Sequence, residues 1–148
     1  MTLKTLVPSY YTRYVSIVRN VSSGKRVLNL GCGDGHYNLC LCERFKEVEA
    51  IDVNKTDLAI AQQKYNPPNV TYTLASATDL PFPDNHFDRI ICVDVLEHVK
   101  GHKKAISEIA RVLKKKGTAI ITVPSADYPV TFDPINWLLA RITGKHLP

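Results

Sequence analysis

Five short apolar runs alternate with stretches of helical periodicity, and this alternation limits the fold more than any other feature. The runs are Arg26 to Leu30, Val48 to Val53, Val70 to Ala75, Arg89 to Val93 and Thr118 to Val123, the last stopped by Pro124. Helical patterns cover His36 to Lys46, Lys55 to Tyr65 and His102 to Lys115, with Asn54 placed to cap the second. In the third, Ala105, Ile106, Ile109, Ala110, Val112 and Leu113 define the expected apolar face. Ser9 to Val21 predicts one more amphipathic helix ahead of the first strand. Nearly continuous apolar strands are those buried on both faces, and strands alternating with helices form right-handed parallel crossovers. The expected fold is therefore α/β, a doubly wound, mostly parallel five-stranded sheet with helices on both faces. In such sheets ligands bind at the carboxyl ends of the strands, so the residues just after each run are the ones to inspect.

After the first run comes Gly31-Cys32-Gly33-Asp34-Gly35. Glycines let a chain turn sharply and let backbone approach a ligand, yet a glycine cluster alone is equally a tight strand-to-helix turn. At the end of the second run comes Asp52, 21 positions beyond Gly31. A carboxylate there can accept from both hydroxyls of a ribose, and the spacing is close to the ~20 residues typical of nucleoside-binding folds. Capping of the following helix is the plainer role for Asp52. Its coincidence with the glycine loop favours a nucleoside cofactor, with NAD still open at this point.

Position 36 is His, so GCGDGH lacks the third glycine of the dinucleotide fingerprint. The segments VLNLGCGDGHYNLCL, EAIDVNKTDLAIAQQK, ATDLPFPDNHFDRIICVDVLEHV and ISEIARVLKKKGTAIITVP, in this order over Lys25 to Pro124, resemble the class I S-adenosylmethionine-dependent methyltransferases. The resemblance implies strand order 3-2-1-4-5 and S-adenosylmethionine, or S-adenosylhomocysteine as product, as the bound compound. It implies that Gly31, Cys32 and Gly33 pass under the methionine and ribose, that Gly35 permits the close approach, and that Asp52 holds the ribose hydroxyls. Val53 would lie against adenine, Ser76 and Ala77 at its edge, and Val93 and Asp94 at the methionine end, with Leu96, Glu97 and His98 opening the acceptor wall. Two positions depart from the pattern. Asn29 stands where an acid is frequent, and Ser76 where an aspartate often accepts from the adenine amine. Both changes remove a charge, so weaker cofactor binding is expected.

Methyl transfer needs alignment more than proton chemistry. Asp94 and His98 are the candidates if a base is used, although a structural role for His98 is favoured. His98 and His102 share helical spacing but have no evident third ligand, so no metal is expected. His86 reads as a surface residue. Tyr11 or Tyr14, in the cluster with Tyr10, would either cover the cofactor or pack on the sheet beside Val15 and Val18.

The 148 residues suit one domain: a helical lid over 1–24, a core over 25–124, and the start of a substrate-side segment over 125–148. A helix is expected from Ile135 to Ile142. The family sheet usually has seven strands, so the chain is expected to lack the last two, and a homodimer could cover the bared edge. The four cysteines, Cys32, Cys40, Cys42 and Cys92, read as free thiols in a reducing compartment. With no apolar run near the ~20 residues of a membrane span and no signal core, a cytoplasmic location is expected. The net charge of +5 leaves nucleic acid open as an acceptor but favours a small molecule. Lys114-Lys115-Lys116 before Gly117 reads as a helix C-terminus, with cations at the negative dipole end and a glycine cap. The leading function is methyl transfer to an unidentified acceptor. The alternative is a cofactor-binding module with little activity alone, and a nicotinamide dehydrogenase ranks third.

Overall fold

The computed structural model describes residues 8–123. The chain forms a central all-parallel sheet whose strand order is β3-β2-β1-β4-β5. The strands are β1 (Gly24–Leu30), β2 (Phe45–Asp52), β3 (Val70–Leu74), β4 (Phe87–Val93) and β5 (Leu113–Thr122). The helices are α1 (Pro8–Asn20), α2 (Asn38–Cys42), α3 (Lys55–Lys64) and α4 (His102–Val112), with one 3-10 turn at Leu96–His98. The expected order and the doubly wound plan are both present.

Neighbouring residues along a strand point to opposite faces, and here both faces are buried. Val27, Val48, Ala50 and Ile91 face one core with Ile17, Val21, Leu41 and Leu58. Leu28, Ile51, Ile90 and Cys92 face the other, beneath Ala105, Ile109 and Val112 of α4. This two-sided burial is why the strands read as continuous apolar runs rather than alternating ones. Asn54 caps α3 as expected, its side chain accepting from Thr56 N at 2.9 Å and Asp57 N at 3.4 Å.

Three local expectations need correction. α2 is a single turn and a half rather than a helix to Lys46, because Phe45 already begins β2 and is buried in the first core. On α4, Ile106 and Ala110 face outward, since only positions 105, 109 and 112 fall on the sheet side of the turn. The lysine run is not a helix end. α4 stops at Val112, Leu113 turns to φ −78° and ψ 135°, and Lys114 to Lys116 belong to β5. Phe87 pairs with Leu113 and Arg89 with Thr118, so an irregularity in β5 takes up the lysines, and Lys114 reaches Asp88 at 2.6 Å. The expected helix at Ile135 to Ile142, the stop at Pro124, and the side chains of Tyr10 and Tyr11 lie outside the described residues. Among the described residues, no helix is long and apolar enough to cross a membrane.

Candidate functional site

The carboxyl ends of β1, β2 and β4 meet at two adjoining cavities. The larger, about 560 Å³, is lined by Asp52, Val53, Ser76, Ala77, His98 and Lys100 among others. The smaller, about 330 Å³, is lined by Arg13, Cys32, Asp34, His36 and Tyr37. Gly31, Gly33, Val93 and Asp94 belong to both and form the wall between them.

The glycine loop owes its path to hydrogen bonds across the sheet. Gly31 N and Cys32 N both donate to Ile51 O at 2.9 Å, and Gly33 N donates to Asp52 Oδ2 at 2.9 Å. Asp52 Oδ1 accepts from Asn54 N at 2.9 Å. One carboxylate therefore fixes both the loop and the start of α3. Gly33 has φ +51°, and a Cβ there would meet nothing within 4 Å, which leaves open space on the cavity wall. Gly35 differs. At φ +83°, a Cβ would come within 2.9 Å of Ala61 Cβ and 3.3 Å of Ala61 Cα. Its close approach is to α3 rather than to a ligand, and it lines neither cavity.

Asn29 also stands apart from the cavities. It is 2% exposed, and its Nδ2 donates to Asn38 Oδ1 at 2.7 Å. Asn38 Nδ2 donates in turn to Tyr72 Oη at 3.2 Å, and the single Tyr72 hydroxyl proton faces the carbonyls of Tyr65 and Ala61. An uncharged buried relay thus runs under the glycine loop, where each polar group needs a partner. Ser76 lines the larger cavity, but its hydroxyl is turned into its own loop, 2.9 Å from Thr78 Oγ1.

Val53 is 70% exposed at the floor of the larger cavity, an apolar shelf open to a flat ligand. Cys32 lines the smaller cavity but is buried, and burial, reinforced by the Asp52 charge, pushes its thiol up to about 12. Asp94 takes a left-handed backbone at φ 55°, unusual for a residue with a side chain. Its Oδ1 accepts from Thr122 Oγ1 at 3.0 Å, and its carboxylate is ion-paired with Arg13 of α1. His98 is exposed and ends the 3-10 turn at the rim. His102 Nδ1 lies 2.8 Å from Leu96 O, turned to the carbonyl of the 3-10 turn rather than to the His98 side chain. Among the described residues, no group of three or more His, Cys, Asp or Glu side chains is placed to hold a metal. His86 is partly covered, stacked on Phe82 with ring centroids 6.1 Å apart.

Tyr14 packs against the first core and stacks on Tyr37 at 5.4 Å, with His36 4.2 Å from Tyr37 and 6.5 Å from Tyr14. Asp34 beside them is bridged by Lys64 at 3.0 Å and His36 at 3.1 Å; burial opposes its ionisation, but these two partners hold its carboxyl below the usual range. Arg13, Asp34, His36, Tyr37 and Lys100 were missed from the sequence. Asp34 and His36 adjoin the glycine motif, whereas around Arg13 the sequence drew attention only to the neighbouring tyrosines.

Residues 28–121 match a family described as "Methyltransferase domain". The "Uncharacterized methyltransferase YcgJ" of Bacillus subtilis is 34% identical over 113 residues, which span 74% of this chain and 43% of that protein. The crystal structure of YcgJ superposes with a TM-score of 0.73 at 29% identity, covering 92% of this chain and 61% of that one. A Mycobacterium tuberculosis protein named "Probable S-adenosylmethionine-dependent methyltransferase Rv3030" is 31% identical over 113 residues, 76% of this chain and 39% of that protein. The chain thus spans less than half the length of these curated relatives. The glycine loop, Asp52 and most of the five-stranded parallel sheet lie within the matched region, and the chain belongs to the Rossmann-like, S-adenosylmethionine-dependent methyltransferase family.

Proposed function

We propose that this chain binds S-adenosylmethionine and transfers its methyl group to a small-molecule acceptor. The observation that carries this reading is the state of Asp52. Each of its oxygens accepts one backbone bond, from Gly33 N and from Asn54 N. A carboxylate offers about four acceptor positions, so two remain for a ribose diol. The open space at Gly33 and the bare Val53 shelf fit a ribose and a purine on either side of that carboxylate.

When bound, S-adenosylmethionine supplies an electrophilic methyl group on a good leaving group. The chain's own contribution is placement. Asp52 orients the ribose, and Val53 with Ala77 packs the base. Val93 and Asp94 position the chain that runs from the ribose toward the smaller cavity. The walls exclude water on one side and leave the rim at His98 for the acceptor. Holding two reactants in line supplies several kcal/mol of such a barrier. A general base is not required, and Asp94, engaged by Arg13 and Thr122, is placed for orientation.

Calorimetry with S-adenosylhomocysteine and with NAD tests the reading: binding of the first alone is expected, and NAD binding alone sinks it. Mass spectrometry of compounds released from the purified protein then seeks the acceptor. The engagement of Asp94 also favours a second reading, a cofactor-binding module that acts with further polypeptide. Tight binding without turnover over a panel of acceptors selects that module. Two weaker proposals accompany these. β5 is an outer strand of the described sheet, which favours a homodimer; a monomer by light scattering at high concentration removes it. The four free thiols favour a cytoplasmic location, testable by fractionation.

A further inference from the structure

The sheet has a basic pole at the end away from the two cavities. An aspartate stands at or just past the carboxyl end of β1, β2, β3 and β4, namely Asp34, Asp52, Asp79 and Asp94. The amino ends carry the opposite sign. Lys25 and Arg26 stand at the start of β1, Lys46 at the start of β2, Arg89 at the start of β4, and Lys114, Lys115 and Lys116 at the start of β5. These four strands lie side by side in the order β2-β1-β4-β5, about 4.8 Å apart, so the cations form one row across that end of the sheet. The carboxylates within the row are already used. Glu47 pairs with Arg26, and Asp88 takes Lys114 and the backbone N–H groups of Lys25 and Arg26. Lys25, Lys46, Lys115 and Lys116 are exposed and form no ion pair among the described residues. Arg89 bonds the Ser22 hydroxyl and the Asp88 carbonyl, neutral groups that leave its charge uncompensated. Like charges gathered in this way repel one another until an anion answers them.

A flat ring stands beside the row. His86, just ahead of β4, is only partly covered and stacks on Phe82 with an interplanar angle of 12°. Burial, then the Arg26 charge with a smaller push from Lys114, holds its imidazole below the ordinary value, so the ring is uncharged at neutral pH. Cations in a row beside an uncharged ring match a single nucleic-acid strand, whose phosphates follow the cations while a base stacks on the ring. A lipid headgroup surface would use the cations but not the ring. We propose that the amino ends of β2, β1, β4 and β5 bind a single strand of nucleic acid, with Lys25, Lys46, Arg89, Lys115 and Lys116 on its phosphates and His86 against one base. β1 and β4 are each 7 residues long, which sets this face about 20 Å from the cavities at their far ends. The bound strand is therefore docked rather than methylated, and the proposal stands apart from the adenosyl reading.

Fluorescence anisotropy of the 148-residue chain tests this with a labelled single strand of about 12 nucleotides, made as RNA and as DNA. Binding is expected at low salt, with log affinity falling against log salt at a slope of about −3, the value for roughly four phosphate contacts. The tighter of the two strands identifies the natural one. Joint replacement Lys25→Ala, Lys46→Ala and Lys115→Ala is expected to lose at least about tenfold at about 0.1 M salt and to flatten the slope by about 2. A matched control, Lys55→Ala with Lys103→Ala and Lys104→Ala, removes the same charge near the carboxyl ends. It is expected to change affinity less than about twofold, because salt screens charges that far from the row. His86→Ala is expected to lose about fivefold or more with the slope unchanged, the mark of a stacked base rather than a phosphate. Thermal melts verify that each variant is folded. Equal losses in the two triple variants mean that net charge alone acts, and overturn the proposal. Failure of both strands to bind at about 0.05 M salt overturns it, whether or not phosphatidylserine vesicles bind. Unchanged affinity in His86→Ala overturns it in favour of a plain anionic surface.

Discussion

The two ends of the sheet spend their charges differently. At the amino ends of the strands, charges are tied to one another and to backbone. Asp88 accepts from Lys25 N at 2.9 Å, Arg26 N at 2.8 Å and Lys114 Nζ at 2.6 Å. Arg111 is held by Glu108, by Asp84 and by the carbonyls of Phe82 and Leu80. At the carboxyl ends, Asp52 accepts two backbone bonds and still borders a large cavity, beside left-handed backbone at Gly33 and Asp94. One end closes loops onto the sheet. The other holds loops open in strained shapes, as binding sites require. Two aspartates at strand ends thus acquire opposite uses, decided by what surrounds them.

The sharpest way to break this contrast exchanges the two aspartates' outcomes. Asp52→Ala is expected to weaken S-adenosylhomocysteine binding about tenfold to a hundredfold, since each charged hydrogen bond is worth roughly 1.5–3 kcal/mol. Asp88→Ala is expected to leave affinity unchanged and lower Tm by roughly 5 °C, through loss of bonds worth about 2 kcal/mol. Calorimetry and thermal melts read both; a loss of affinity in Asp88→Ala would erase the distinction.

Within the glycine loop the same division should appear on a smaller scale. Gly35→Ala drives a methyl into α3, so overpacking of about 1–3 kcal/mol is expected with a lower Tm. Gly33→Ala meets no atom and costs only the left-handed backbone, about 1 kcal/mol, but places a methyl at the cavity wall. Its expected mark is lost affinity at nearly unchanged Tm. Melts in which Gly33→Ala is the less stable variant would reverse the assignment.

The closed end should also show in acid. Arg111 and the Leu80 backbone N–H hold the Glu108 carboxyl down to about 2, from an ordinary 4.5. A depressed carboxyl stabilises the fold above its unfolded value and loses that contribution as pH falls toward the folded one. The Tm gap between the unmodified chain and Glu108→Gln should be full above pH 4.5 and close toward about pH 2. A gap independent of pH would show that Glu108 acts through packing alone. The smallest effect concerns thiols. Burial pushes Cys32 and Cys92 up to about 12, so iodoacetamide should label half-buried Cys42 first, as mass spectrometry of the native protein can show. Early labelling of Cys32 would mean that the glycine loop opens readily.

Much of the site was legible because its signals are local. Gly31 to Gly33 directly follow β1 and Asp52 ends β2, and strand ends are where a doubly wound sheet puts its ligands. Asn54 capping α3 was likewise readable from one residue and its neighbours. The illegible parts are contacts between distant segments. Asn29 at a family acid position reads as a cofactor contact until its partner Asn38 is seen. The lysines before Gly117 read as a helix end until the β4–β5 register draws them into a strand. There, long-range strand pairing overrides local preference.

The sequence by itself determined the sheet, because apolar period and glycine placement act over a few residues and fix which segments become buried strands. It also determined the nucleoside-type loop, which needs only its own glycines and one carboxylate. Only the tertiary structure decided how charges are used. Arg13 meets Asp94, and Asp88 is consumed by Lys25, Arg26 and Lys114, through pairings across separate elements. A charge's role depends on the distance to its partner and on the water excluded around it, and both arise only once the chain has packed.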